Sequence, residues 1–569
     1  MMRLCIGLMA LAWALLSPSI ARAQDQPSTP DDIPGELAVD LLDGLSEADI
    51  DAFKTSLGFP ARPSSFLSAR THIFRVTLPA AQQDALIARL RGDVRIENLE
   101  PVALVHASWT PNDPMLDKQW HLSRVGAERA WAWSVGRGVT VAVIDTGVAC
   151  EDHPPFSRGS DLADTWCVTG HNFIDGSAHA ADDQGHGTHV AGTIAQSTNN
   201  GIGAAGLAFK ARIMPIKVLD STGTGTTVDV ADGIRFAADL GAHVINMSLG
   251  SSRASKLMRE AIAYARSRGV VIVAAAGNNG RFVEYPAAFD GVIAVSATDS
   301  SDKLARFSSR GPEVDIAAPG VAVLQQTICN GGLNKCERYP ELSGTSMASP
   351  HVAAAAALLV SVGLNNPTSV ERALYGTARS IDGQGRGSPL YGAGLLDAGK
   401  AVSNVVLTHA AVRLALVAIL TALVVWRIRK KGGIARPSRL GFVLSALAFG
   451  PGLLFLAPLV APRVILPIDI LARPVGEWDM ILGASVHRWL PLAHFLIPVA
   501  LSAVGFGIAK LRPVIAGVSL GTAAYLVSQP LLGILATTNR GLLILWVWAL
   551  VNVAICLWVA RLTMDEKPS

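Results

Sequence analysis

Three side chains, far apart in the chain, each stand where a reactive group is best placed. Ser346 lies within Ser343-Gly344-Thr345-Ser346-Met347-Ala348-Ser349-Pro350-His351, directly before an Ala-rich run from Met347 to Val360 whose residues predict a helix. Unpaired N–H groups and the dipole at a helix N-terminus favour negative charge as it develops. Pro350 falls early enough for its missing N–H to be tolerated. A serine hydroxyl is a weak nucleophile at neutral pH; it needs a base within hydrogen-bond reach, and the base needs a carboxylate to fix its tautomer. His186 opens His186-Gly187-Thr188-His189-Val190-Ala191-Gly192-Thr193, a second small-residue helix, after the acidic loop Asp182-Asp183-Gln184-Gly185. Asp145 follows the run Val139-Thr140-Val141-Ala142-Val143-Ile144, which reads as a buried strand. Together the three could carry acyl transfer. For Ser346 taken alone, the plain alternative is a closely packed core helix.

Two other chemistries share parts of these motifs. Asp145-Thr146-Gly147 after an apolar strand is also how an aspartic protease begins, but no second Asp-Thr/Ser-Gly is present to share the proton that dyad chemistry requires. His186 and His189 suggest zinc, yet neither a His-Glu-x-x-His helix nor a cysteine pair at ligand spacing accompanies them. In the order Asp, His, Ser, the three motifs resemble those of the subtilases, the subtilisin-like serine proteases, over about residues 112–404.

That resemblance implies Ser346 as nucleophile, His186 as general base and acid, Asp145 as its orienter, and His189 as a structural histidine. Ala274-Ala275-Ala276-Gly277-Asn278 resembles the family's oxyanion stretch, with Asn278 and the Ser346 N–H as donors. Ser248-Leu249-Gly250 resembles the segment that pairs with an extended substrate by β-augmentation. Aligned on Tyr285-Pro286, Glu284 falls at the base of the S1 pocket, where a carboxylate favours Lys or Arg at P1. The expected self-cleavage region contains no such residue, and a solvated loop glutamate is the other reading. Thr198-Asn199-Asn200-Gly201-Ile202-Gly203-Ala204 resembles a calcium loop, with Asn200 as a ligand. The family's aspartate partner is not recognisable; Pro155 stands in its place, so structural calcium is left open. The chemistry itself requires no cofactor.

Positioning these residues requires strand ends and helix starts. Arg212–Val218, Ala242–Met247, Val270–Ala275 and Val292–Val295 repeat the strand pattern of Val139–Ile144, with helical stretches between them. The alternation predicts an α/β fold, a subtilisin-like parallel sheet with flanking helices and its site at the strands' carboxyl ends.

The 569 residues imply several domains, and a formal net charge of +3 gives no case for nucleic acid. Residues 1–23 read as a secretory signal peptide, with Arg3, an apolar run and Ala21-Arg22-Ala23, and 24–34 as a polar linker. Residues 35–107 alternate strand and helix signals (Leu37, Val39 and Leu41; Phe74, Val76 and Leu78; Leu86, Ile87 and Leu90) in the pattern of a small ferredoxin-like α+β domain. By position this resembles the family's inhibitory propeptide, which would make the chain a zymogen, with self-cleavage near Val105–Asn112; an ordinary accessory domain is the alternative. Cys150, Cys167, Cys329 and Cys336 fall in the exported part and allow three pairings, of which loop closure favours 150–167 with 329–336.

Mean hydropathy is +0.37, and the apolar excess lies at the C-terminus. Five spans are expected at about 411–428, 440–460, 491–509, 513–535 and 541–560, an α-helical transmembrane bundle with a cytoplasmic tail at 561–569. Arg427, Arg429, Lys430, Lys431, Arg436 and Arg439, then Lys510 and Arg512, mark the inward loops. Glu477, Asp479, His487 and Arg488 fall in an outward loop, and the spans read as nearly free of ionisable residues, His494 excepted. Scarce intramembrane charge favours an anchor over a transport path. The expected protein is an inner-membrane, multi-pass endopeptidase with its catalytic domain outside, its partners being polypeptide substrates, its own propeptide and the bilayer. A transport or signalling protein carrying a subtilase domain is the rival.

Overall fold

The structure, a computed structural model, describes residues 32–103, 110–328, 338–381, 385, 387–457, 468–478, 496–533 and 539–565. The expected signal peptide, most of the linker and most of the self-cleavage region, Cys329 and Cys336, and Asp479, His487, Arg488 and His494 lie outside these residues. Two compact units divide at the stretch 104–109.

The N-terminal unit contains β1 (Asp32–Leu41), α1 (Glu47–Leu57), β2 (Ala61–Arg62), β3 (Ile73–Thr77), α2 (Gln83–Leu90) and β4 (Ile96–Ala103). Its sheet is antiparallel, in the order β2-β3-β1-β4. Successive strand residues face opposite sides, so Leu37, Val39, Leu41, Phe74 and Val76 share one face. There they bury against Phe53, Leu57, Leu86 and Leu90 of the two helices. Ser46 starts α1 by accepting the Asp49 N–H at 3.2 Å.

The second unit is organised on a parallel sheet of β5 (Thr140–Asp145), β6 (Arg212–Lys217), β7 (Val244–Met247), β8 (Val271–Ala275), β9 (Ile293–Thr298) and β10 (Ile316–Pro319). Their order is β10-β9-β8-β7-β5-β6, and the two-residue strands Trp166–Cys167 and His171–Asn172 both pair with β6. The five strands read from the sequence are present; β10 is an addition. Residues of β5 alternate between two cores, Val141 and Val143 on one side, Ala142 and Ile144 on the other. Both faces are therefore covered, which is why the strand reads as continuously apolar. On the first side lie α3 (His186–Ala195) and α6 (Thr345–Ser361); on the second lie α4 (Thr227–Asp239) and α5 (Lys256–Ser267). The chain passes from β5 to β6 on one flank and returns to β7 on the other. This reversal opens a crevice beyond the carboxyl end of β5, where Asp145 stands. Cys150 and Cys167 form a disulfide across the loop that follows.

After α7 (Pro367–Thr377), the helix that closes the sheet domain is not a separate element. Asp397 caps it by accepting the Lys400 N–H at 2.9 Å, and α8 then runs without interruption from Ala398 to Lys430. At 1.5 Å per residue this is about 50 Å. The expected break between a catalytic domain ending at 404 and a first span starting at 411 is absent, because no Gly or Pro interrupts the helix between them.

Among the described residues, three helices are long and apolar enough to cross a membrane: α8, α11 (Arg512–Leu531) and the Trp546–Met564 part of α12 (Asn539–Met564). The expected span at 440–460 differs. Over 440–460 the helix α9 (Leu440–Phe449) has 10 residues, about 15 Å, and ends at Gly450-Pro451-Gly452, where Pro451 cannot donate to a helical ladder. Of the expected span 491–509, residues 491–495 lie outside the described residues, and the rest includes α10 (Leu496–Gly505). At 440–460 the apolar count was high enough, but Gly450-Pro451-Gly452 ends the helix.

Nor is the first span free of charge. Arg413 of α8 is buried, donates to Glu477 Oε1 at 2.8 Å and to Ser528 Oγ at 3.2 Å, and stacks its guanidinium over Tyr525. Glu477 is equally buried, so this outward-loop residue folds back as a partner instead of standing in solvent.

Candidate active site

Two of the sequence-selected residues, Asp145 and His186, meet at the β5 crevice. Asp145, fully buried at the strand end, accepts the His186 Nδ1–H at 2.7 Å and the Thr146 N–H at 2.8 Å through Oδ1. His186 is the first residue of α3. Close approach makes that pairing possible: a Cβ on Gly187 would lie 2.1 Å from the Gly147 carbonyl oxygen, so only glycine lets α3 start against the loop after β5. Asp182 clamps the same junction. Its carboxylate accepts from Thr146 Oγ1 at 2.9 Å, Thr188 Oγ1 at 2.6 Å and the N–H groups of Gln184, Gly185 and Thr188. In sequence, Asp182 is legible as part of an acidic loop but not in this role.

Burial, the largest influence on His186, pulls its pKa down. The charge and hydrogen bond of Asp145, with Asp182 beyond, outweigh it, so the pKa stands above the ordinary 6.5. His189 differs. Burial lowers it to about 3, and its Nε2–H donates to the Val323 carbonyl at 3.0 Å, which makes it a neutral packing residue.

Ser346 is the second residue of α6 and half-buried; its Oγ–H donates to the Ser248 carbonyl at 3.1 Å. Among the described residues no hydrogen bond joins it to His186. Ser248 Oγ donates back to the Ser346 carbonyl at 2.8 Å and accepts from Asn246 Nδ2 at 3.0 Å, while Ser349 Oγ donates to Asn246 Oδ1 at 2.6 Å. The end of β7 is thereby tied to the first turn of α6. Asn246 and Ser349 carried no sequence signal, because a polar residue inside an apolar strand or helix looks the same whether or not it has a partner.

Asn278 is exposed, just past β8. Its Oδ1 accepts from the Thr345 N–H at 2.9 Å and Thr345 Oγ1–H at 3.0 Å. This fixes the amide so that Nδ2 remains available beside the N-terminus of α6. Ser248, Leu249 and Gly250 line an open cleft of about 530 Å³ with His186, Leu219, Met258 and Tyr285. Glu284 reaches into the same region. A Cβ on Gly250 would lie 2.5 Å from Glu284 Oε2, one on Gly277 2.8 Å from Glu284 Cδ, and Asn279 Nδ2 donates to Oε1 at 2.9 Å. Gly277 also has φ 109°, so a side chain there is doubly disfavoured.

At the loop of Asn200 the expectation needs one correction. Pro155 lies elsewhere, lining a second cavity; the carboxylate against Asn200 is Asp161. Asp161 Oδ1 accepts from Asn200 Nδ2 at 2.9 Å and Oδ2 from the Ala204 N–H at 2.8 Å. Asp113 accepts the N–H groups of Asn199 and Asn200. Burial pushes Asp161 up to about 6, and the Asp113 charge adds to this. Asp113 is itself raised by burial. Asn200 turns its Nδ2 to Asp161 while its Oδ1 accepts the Ile202 N–H at 2.9 Å, so these oxygens are occupied by N–H donors and the set does not fit calcium as a ligand cage. The sequence hid Asp161 because the disulfide-bearing loop moves it well beyond the expected position.

A parallel α/β domain holding an Asp–His pair, a helix-N-terminal serine and a free amide donor defines a hydrolase of the serine type. The family model for the subtilase family, peptidase S8, matches residues 136–394. The chain is 42% identical over 312 residues to the thermophilic serine proteinase of Bacillus sp. (strain AK1), spanning 54% of this chain and 74% of that protein. It is 42% identical over 279 residues to thermitase of Thermoactinomyces vulgaris, 49% of this chain and 94% of that one. To the extracellular protease of Xanthomonas campestris pv. campestris it is 36% identical over 364 residues, 57% and 62% of the two chains. The chain belongs to the subtilase family. It is a subtilisin-like serine endopeptidase.

Proposed function

We propose that the protein is a membrane-tethered, zymogen-type endopeptidase that cleaves extracytoplasmic polypeptides through Asp145, His186 and Ser346. The observation that carries this is the Asp145–His186 hydrogen bond, with His186 on the same cleft as Ser248, whose carbonyl accepts from Ser346 at the N-terminus of α6, and with Asn278 held against Thr345 by its Oδ1. Ser346 Oγ attacks the scissile carbonyl as His186 Nε2 takes its proton. The tetrahedral oxyanion is held by Asn278 Nδ2 and the Ser346 N–H, and the imidazolium then protonates the leaving amine. Water, deprotonated by the same histidine, releases the acid product from the acyl-enzyme. Ser248–Gly250 offer backbone groups to an extended peptide. A fluorophosphonate or phosphonate probe is expected to label the full-length protein and to fail on Ser346→Ala; equal labelling of both would overturn the assignment.

Asn278→Ala removes one of two oxyanion donors and is expected to lower kcat about 10²–10³-fold with little change in KM, as measured on a chromogenic peptide. That range comes from the corresponding residue of a relative in this family. Glu284 is assigned to the S1 base, on its contacts with Gly250 and Gly277. A charge-assisted hydrogen bond contributes about 1.5–3 kcal/mol, so Glu284→Gln should cut the P1-Arg over P1-Leu preference in kcat/KM by about 10- to 100-fold. Equal rates for both peptides in the unmodified enzyme would return Glu284 to the role of a loop residue.

The N-terminal unit, with the strand order and antiparallel pairing of a ferredoxin-like domain, is assigned as the inhibitory propeptide. Tethering is supported by the three long apolar helices and by the basic residues at Arg427–Lys431, Lys510 and Arg512, which mark the cytoplasmic side. An extracytoplasmic catalytic domain accords with the extracellular relative. The Arg413–Glu477 pair favours a joint over a transport path, because Ser528 and Tyr525 complete its surroundings.

A further inference from the structure

We infer that the membrane region is docked on the face of the catalytic domain opposite its cleft, so that the enzyme takes polypeptides standing clear of the bilayer and not the membrane-proximal stubs of anchored proteins. This deepens the proposed function and rests on it. Three contacts define the docked face. Arg473 donates to the Ser361 carbonyl at the C-terminal end of α6, and to the Trp133 carbonyl at 3.5 Å. Glu477, held by Arg413, lies against Gly363, where an added Cβ would be 3.1 Å from its Oε1. Ser369, in the first turn of α7, donates to the Gly533 carbonyl at 2.8 Å, just beyond the end of α11.

These points share one side of the domain. Trp133 and Ser134 precede β5, and Ser134 Oγ bonds to the Leu358 carbonyl at 3.2 Å, so the start of the central strand and the end of α6 are adjacent. The cleft is at the other side, at the carboxyl end of β5 and the N-terminus of α6. The six residues of β5 span about 20 Å, and the 17 residues of α6 about 25 Å. The attachment is also stiff, since α8 enters the membrane region as a direct extension of the domain's own helix. A flexible tether would let the cleft reach down; a docked base and a continuous helix do not. Extended chain covers at most about 3.3–3.6 Å per residue, so a scissile bond fewer than roughly seven residues from the bilayer cannot enter the cleft.

The test uses the full chain reconstituted in lipid nanodiscs, with one cleavable sequence placed 4, 8, 16 or 32 residues from a single-span anchor in the same disc, and the same sequence as a free peptide. The expected result is comparable cleavage of the free peptide and of the anchored substrate with 32-residue spacing, with at least a tenfold lower rate at 4 residues. Equal rates at 4 and 32 residues would overturn the inference while leaving the protease intact. Failure to cleave the free peptide would instead count against the protease reading. The orientation then stands or falls on a second measurement, energy transfer to acceptor lipids from a dye at Thr222→Cys on the cleft rim or Thr368→Cys near the docked face. Weaker transfer from position 222 supports the inference; equal or stronger transfer overturns it.

Discussion

Ser346→Ala is expected to lower kcat by about 10⁶-fold while leaving peptide affinity nearly unchanged. Removing Oγ eliminates the covalent route, yet the proposed oxyanion donors, Asn278 and the backbone N–H at residue 346, are retained. A residual acceleration of about 10³–10⁴ over water should therefore remain. These magnitudes derive from a relative in the same family. The measurement is single-turnover hydrolysis of a peptide ester and of the matching amide. The variant should fold normally, because Ser346 Oγ contributes one hydrogen bond, to the Ser248 carbonyl, on a half-buried side chain. His186→Ala combined with Ser346→Ala should cost little more than either alone, since the two act as one unit. Additive losses would mean that the serine and histidine do not work on the same proton.

Asp145→Asn is the second large effect, with an expected loss of about 10⁴-fold in kcat. Asp145 Oδ1 accepts the Nδ1–H of His186 and so leaves Nε2 free to take a proton. An asparagine can present its own N–H to Nδ1, which places the ring proton on Nε2 and disables the base. The pH profile carries a separate signature. Activity needs neutral His186, and its pKa lies above 6.5, so kcat/KM of the native enzyme should fall on acidification with a midpoint above pH 6.5. Without the Asp145 carboxylate, burial still lowers the pKa and Asp182 alone still raises it, so the acid limb should move below that of the native enzyme. Stability runs the other way. The imidazolium–carboxylate contribution is fully present below pH 6.5 and is lost as pH rises through the folded value. An acid limb that does not move in Asp145→Asn would remove Asp145 as the partner that tunes His186.

Much of the site was legible because its parts are local. A strand ending in Asp145, a helix opening at His186 and another opening beside Ser346 are each written in a contiguous stretch, and element ends are set by neighbours in the chain. The same holds for the long apolar runs of α8, α11 and α12, and for the alternating face of the N-terminal sheet. The interrupted helix at 440–460 shows the limit of counting apolar residues, since Gly450-Pro451-Gly452 outweighed them.

What residue type and spacing determined, then, was the chemistry available and the elements that carry it. Tertiary structure alone decided which distant groups share a site: Asp161 beside Asn200, Asn246 beside Ser349, and Arg473 on the Ser361 carbonyl. An aspartate or arginine destined for a buried partner looks, in sequence, like one that stays solvated. The difference is made when the path of the chain removes water from both groups at once.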